Sequence, residues 1–232
     1  MKQAFRKIVS WAYGSRRTIS KSLLIFPFLA LPLQAEPIKL MAFGDSLVQG
    51  YGLANGDGFV PQLDRWLDAQ GRDVEVINGG VSGETTAGGL RRLDWTIGDD
   101  VDAVLLATGG NDLLRGLPLD EVAANLDEIV SRIQARDIPV MLVGYRATSN
   151  FGAEYSERFN AIYPEVAETY GVVFHPYIFQ GMADAMAEGQ IDRTSAFQSD
   201  GIHPNAQGVA LNIEAMGPKV LDLLDQVTAP GT

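Results

Sequence analysis

Two kinds of apolar pattern alternate along this chain. Predominantly apolar runs recur at Ile38–Phe43, Val74–Ile77, Val101–Ala107, Pro139–Val143 and Val172–Phe174, broken only by Lys39, Glu75 and Asp102. A short, almost continuously apolar run predicts a strand covered on both faces, as in a parallel sheet. Between these runs the apolar residues fall three and four apart. In Leu119–Arg136 the residues Leu119, Val122, Leu126, Ile129, Val130 and Ile133 share one helical face. Phe59–Leu67, Thr86–Leu93 and Ser156–Tyr170 follow the same spacing. A last helix is expected from Asn205 to Asp225, interrupted at Gly217–Pro218 because proline has no N–H to continue the ladder. Strand and helix in alternation predict an α/β domain: a three-layer α/β/α sandwich around a doubly wound sheet of about five parallel strands. In such sheets ligands gather at the carboxyl ends of the strands, which directs attention to the turns after Phe43, Ile77 and Ala107.

Composition narrows the function. The 232 residues, 46% of them hydrophobic, suit one sizeable domain. Lys and Arg number 18 against 29 Asp and Glu, and six of the basic residues stand before Glu36, where there is no acid at all. The remainder is strongly acidic and would be repelled by nucleic acid and anionic lipid surfaces. There is no cysteine, hence no disulfide, thiolate metal site or cysteine nucleophile, and with two histidines a multi-histidine metal centre is not expected either. No cofactor or metal is called for.

Residues 1–35 read as an address. A basic stretch to Lys21 precedes the apolar run Leu23–Leu33, and Ala35 supplies a small residue at its exit. That run is shorter than the roughly 20 residues that cross a bilayer, and the three features together describe a secretory signal peptide. Ser15-Arg16-Arg17-Thr18 partly matches a twin-arginine signal, so the export route stays open, and an uncleaved amphipathic anchor is the alternative. The expectation is cleavage after Ala35, a periplasmic or secreted domain over 36–232, no lasting membrane insertion and a monomer.

The turns after the strands carry the polar residues. Gly44-Asp45-Ser46-Leu47 follows the first strand, where a tight exit leaves a serine Oγ exposed as a nucleophile requires. Such a hydroxyl needs a base. Ser199-Asp200-Gly201-Ile202-His203-Pro204 offers one, with a carboxylate three residues before an imidazole, so that the acid can fix the ring's tautomer. His175 has no adjacent acid and reads as a strand-end histidine. Ser82-Gly83-Glu84-Thr85 and Gly109-Gly110-Asn111-Asp112 follow the second and third strands and supply backbone N–H groups and a side-chain amide as oxyanion donors. Taken singly, each turn fits ordinary capping chemistry. Four of them at strand ends, in this order, point to acyl transfer.

The succession Gly-Asp-Ser-Leu, a glycine, Gly-Gly-Asn-Asp and Asp-x-x-His-Pro resembles the SGNH (GDSL) hydrolases. The likeness runs from about Ile38 to the final helix. Within that family it is similar to the periplasmic thioesterase, lysophospholipase and arylesterase branch, notably through Ser82–Thr85, Gly110–Gly116 and Asn160–Pro164. The resemblance implies a flavodoxin-like fold, Ser46 as nucleophile and first oxyanion donor, Gly83 and Asn111 as the other donors, and Asp200 with His203 completing a triad. Gly80 competes with Gly83 for the glycine role, but the Ser-Gly-Glu-Thr context favours Gly83. The implied activity is serine-dependent hydrolysis of aryl esters, lysophospholipids or acyl thioesters through an acyl-enzyme. Leu113, Leu114, Leu117 and Tyr145, which follow the third and fourth strands, are the candidates for an acyl groove. A carbohydrate acetylesterase on the same fold and a non-catalytic binding module are the rival readings.

Overall fold

Within the expected strands, the longest unbroken apolar stretches, at 40–43, 103–107 and 139–143, take the middle of the sheet. In the computed structural model, which describes residues 36–148 and 151–227, five parallel strands stand in the order β2-β1-β3-β4-β5. They are β1 (Ile38–Gly44), β2 (Val74–Gly80), β3 (Ala103–Ala107), β4 (Val140–Val143) and β5 (Val173–His175). Every residue of β3 and β4 is buried, whereas β2, at one edge, alternates buried and exposed positions. The burial follows the layering, since a central strand has helices above and below it. The expected strands are all present, with β3 and β5 starting one or two residues later than the apolar runs. The signal peptide expected at 1–35 lies outside the described residues.

Helices cover both faces of the sheet. Those on one side are α2 (Phe59–Ala69), α7 (Gln180–Ala187) and α9 (Ala206–Leu224); α3 (Thr86–Thr96), α5 (Leu119–Gln134) and α6 (Ala153–Tyr170) adjoin one another on the other. The apolar stripe of α5 faces inward as its spacing predicts, with Leu119, Val122, Leu126, Ile129, Val130 and Ile133 buried. The strand order is the flavodoxin-like one, and the chain reverses direction across the sheet between β1 and β3. Register matters most here. Gly44 pairs with Gly80 on one side and with Ala107 on the other, so three strands end level with one another. The turns that follow them are therefore neighbours.

One expectation fails. Helix α9 runs unbroken from Ala206 to Leu224 through Gly217 and Pro218. Proline forfeits one backbone bond, but Val209, Ile213, Met216, Val220, Leu223 and Leu224 hold the helix to the core on both sides of it. Gly217 is required for close approach, because a Cβ there would come within 2.4 Å of the Trp66 ring. Three short helices also replace what read as turns and loops: α1 (Ser46–Gln49), α4 (Gly110–Arg115) and α8 (Arg193–Ala196). A helix of four to six residues is too short to show periodicity, and its ends are set by caps.

Candidate active site

The turn after β1 is built around Asp45. Its Oδ1 accepts the N–H of Leu47 at 3.0 Å and so caps α1, placing Ser46 as the first residue of that helix. Its Oδ2 lies 3.3 Å from the hydroxyl of Tyr145, which also reaches the Ala107 carbonyl at 3.2 Å. The Asp45 side chain is almost wholly enclosed, and burial pushes its carboxyl up to about 6 against the opposing pull of the Leu47 N–H and the Tyr145 hydroxyl. Gly110 must be glycine beside it, because a Cβ would stand 2.8 Å from the Tyr145 ring and 3.0 Å from Asp45 Oδ2.

Ser46 and the loop before α9 meet across the cavity. Nε2 of His203 lies 2.8 Å from Ser46 Oγ, and Nδ1 lies 2.7 Å from Asp200 Oδ2. The other Asp200 oxygen accepts the N–H groups of Ile202 at 2.9 Å and of His203 itself at 3.0 Å. The His203 ring, followed by those two N–H groups, holds the Asp200 carboxyl down at about 2. An ionised carboxylate only accepts, so the imidazole carries its proton on Nδ1 and turns the lone pair of Nε2 toward the serine hydroxyl. A two-residue bridge between Phe197 and Pro204 closes the loop, with Gln198 N–H donating to the His203 carbonyl at 2.8 Å. Tyr51 covers the imidazole with ring centroids 4.8 Å apart.

Two donor turns face the same point. Gly83 has φ +76°, which a side chain would strain, and Nη2 of Arg115 holds its carbonyl at 2.7 Å. No protein group among the described residues accepts the N–H of Gly83 or of Ser46. Gly80 differs: its N–H donates to Asn78 Oδ1 at 3.0 Å, and it packs on the backbone of Gln49. The Asn111 amide donates one hydrogen to the Glu84 carbonyl at 2.9 Å, which leaves the second free to face the cavity. Glu84 and Arg92 form a buried ion pair (Nε to Oε2, 2.6 Å); Arg92 also donates to the Gly44 carbonyl at 3.1 Å and lies over the Phe43 ring. This clamp ties the Gly83 turn to the end of β1. Asp112, also buried, accepts both the N–H and the hydroxyl of Thr86 and ties α4 to α3.

These groups open into a cavity of about 360 Å³, within the range of small-molecule sites. Ser46, Asp200, His203, Gly83 and Asn111 all line it. Leu113, Leu114 and Tyr145 do too, from α4 and from the segment after β4. Leu117 does not: α4 ends at Arg115, with Gly116 as its left-handed cap, and Leu117 beyond it is half-buried against the core. Sequence reasoning missed Asp45, Tyr51, Arg146, Tyr177, Phe179 and Ile202 as lining residues. Of these, Asp45 alone had a local signal, as the capping acid before Ser46. Among the described residues no group of His, Asp and Glu side chains is arranged to hold a metal ion, and no helix is long and apolar enough to cross a membrane.

Comparison with known proteins places the chain among esterases. The family model described as GDSL-like Lipase/Acylhydrolase matches residues 42–211. The chain is 32% identical over 208 residues to Esterase TesA of Pseudomonas aeruginosa, covering 88% of this chain and 100% of that protein. It is 34% identical over 187 residues to an Arylesterase of Vibrio mimicus, covering 80% and 89% of the two chains. Among solved structures, the psychrotrophic esterase EstA from Pseudoalteromonas sp., inhibited by monoethylphosphonate, superposes with a TM-score of 0.71 at 29% identity, covering 81% of this chain and 98% of that one.

Proposed function

The chain belongs to the GDSL-like lipase/acylhydrolase family, and from that premise we propose that it is a carboxylic ester hydrolase in which Ser46 is the nucleophile. The observation that carries this reading is the hydrogen-bonded line from Ser46 Oγ through His203 to Asp200, at 2.8 and 2.7 Å, opening into the cavity. His203 takes the serine proton on Nε2 as Oγ attacks the acyl carbonyl, and Asp200 stabilises the imidazolium that results. The N–H groups of Ser46 and Gly83 and the free Asn111 amide hydrogen receive the oxyanion. Collapse expels the alcohol or thiol, protonated by His203, and leaves an acyl group on Oγ. Water then attacks the acyl-enzyme by the same steps, returning the carboxylic acid and the free serine.

Aryl esters, lysophospholipids and acyl thioesters are the proposed substrates, their acyl part lying along Leu113, Leu114 and the rings of Tyr145 and Tyr177. Support comes from the relatives described as esterase and arylesterase, and from the phosphonate that inhibits EstA, since an activated serine attacks phosphorus as it attacks carbon. Residues 1–35 are proposed as an export signal, placing a monomeric domain in the periplasm or outside the cell. The test is hydrolysis of para-nitrophenyl esters, from acetate to palmitate, by the protein and by Ser46→Ala. Activity that disappears in the variant supports the reading, and the chain-length optimum separates an acyl groove from an acetyl pocket. Equal rates for the two proteins would refute the serine mechanism and favour a binding module.

A further inference from the structure

Arg146 is the one permanent cation lining the cavity among the described residues. It follows Tyr145 in the segment after β4, and its guanidinium carbon lies 5.0 Å from the centroid of the Tyr177 ring. That ring is set by Phe179, edge-on at 5.7 Å. Two other arginines near this edge are already engaged: Arg115 on the Gly83 carbonyl at 2.7 Å and Arg193 on the Gly201 carbonyl at 2.6 Å. Arg146 takes part in no hydrogen bond or ion pair among the described residues, which include every acidic side chain of the chain. The negative groups in the same cavity are committed elsewhere. Asp200 serves His203 and two N–H groups, and Asp45 serves Leu47 and Tyr145.

A guanidinium stacked on an aromatic wall keeps its planar fork of donors unspent and partly oriented, the geometry that recognises carboxylate and phosphate. The net charge of -11 repels anions in general, so an anion retained here is held by this side chain rather than by the field of the whole protein. Building on the ester-hydrolase reading, we propose that Arg146 forms an anion subsite that selects esters bearing a carboxylate or phosphate over neutral esters of the same length. The contact exists in the ground state and persists through reaction, so its effect falls on KM more than on kcat.

Two pairs of esters test this and separate the two sources of the anion. The para-nitrophenyl half-ester of glutaric acid against para-nitrophenyl pentanoate places a carboxylate on the acyl side. Butyryl glycerol phosphate against monobutyrin places a phosphate on the alcohol side. In Arg146→Gln the anionic-to-neutral ratio of kcat/KM falls about tenfold in at least one pair, through KM, while Arg146→Lys keeps part of it. Rising salt shrinks the ratio in the wild type, because the side chain is exposed. The pair that responds identifies the side carrying the anion. Ratios that Arg146→Gln leaves unchanged in both pairs would overturn the subsite alone. Failure of the wild type to hydrolyse even the neutral esters would instead bring down the esterase reading on which it rests.

Discussion

Nε2 of His203 stands 2.8 Å from Oγ of Ser46, although the two residues are 157 positions apart in the chain. The contact depends on tautomer as well as distance, and Asp200 sets the tautomer from 2.7 Å on the other side of the ring. In Asp200→Asn the amide can present its NH₂ to Nδ1, which moves the ring proton to Nε2 and leaves no acceptor for the serine. The expected loss is about 10⁴ in kcat with the fold intact. Steady-state kinetics on a para-nitrophenyl ester, beside a melting curve, measure it. A loss below tenfold would show that His203 needs no such partner.

If Asn111 donates to the oxyanion as proposed, Asn111→Ala removes a contact to charge present only in the tetrahedral state. The expectation is a fall of about 10²–10³ in kcat with KM little changed. The same amide holds the Glu84 carbonyl at 2.9 Å, so a purely structural role is conceivable; it would show as a lowered melting temperature and a raised KM. The kcat-to-KM split discriminates the two.

The Arg92–Glu84 pair has side chains only 7% and 10% exposed. Removing one partner strands a buried charge, so Arg92→Leu should cost about 3–5 kcal/mol of stability, whereas Arg92→Leu with Glu84→Leu should recover much of that. Urea titrations of the single and double variants provide the comparison. Equal losses in the two would mean that the pair contributes through packing rather than charge.

Asp45 gives a pH signature. Its carboxyl is raised from 3.8 to about 6 in the folded protein, so between those values the native state holds a proton that the unfolded chain has lost. Stability contributed by this group is therefore present at low pH and is lost as pH rises toward 6, a swing of about 3 kcal/mol from the size of the shift. Other carboxylates act in the opposite sense, Asp200 among them, so the readout is a difference. Relative to Asp45→Asn, the wild type should gain stability on going from neutral pH to about pH 4. A difference that stays flat across that interval would rule out a raised carboxyl.

Much of this protein was legible in the chain because it depends on neighbours in sequence. The buried runs marked the strands, the stripe from Leu119 to Ile133 marked α5, and the Asp200–His203 spacing set up a contact within one turn. The turn residues Ser46, Gly83 and Asn111 could be placed at strand ends because strands end where apolar runs end. Periodicity reports which face of an element is buried, not what lies across from it. Tertiary structure decided the rest. The level ends of β1, β2 and β3 brought three turns together, and the docking of the loop before α9 set His203 on Ser46. Long-range packing also kept α9 unbroken through Pro218, left Leu117 out of the cavity that Leu113 and Leu114 line, and joined Arg92 to Glu84 and Arg146 to Tyr177. Each of those outcomes is a free-energy balance between distant parts of the chain, and local pattern carries no record of it.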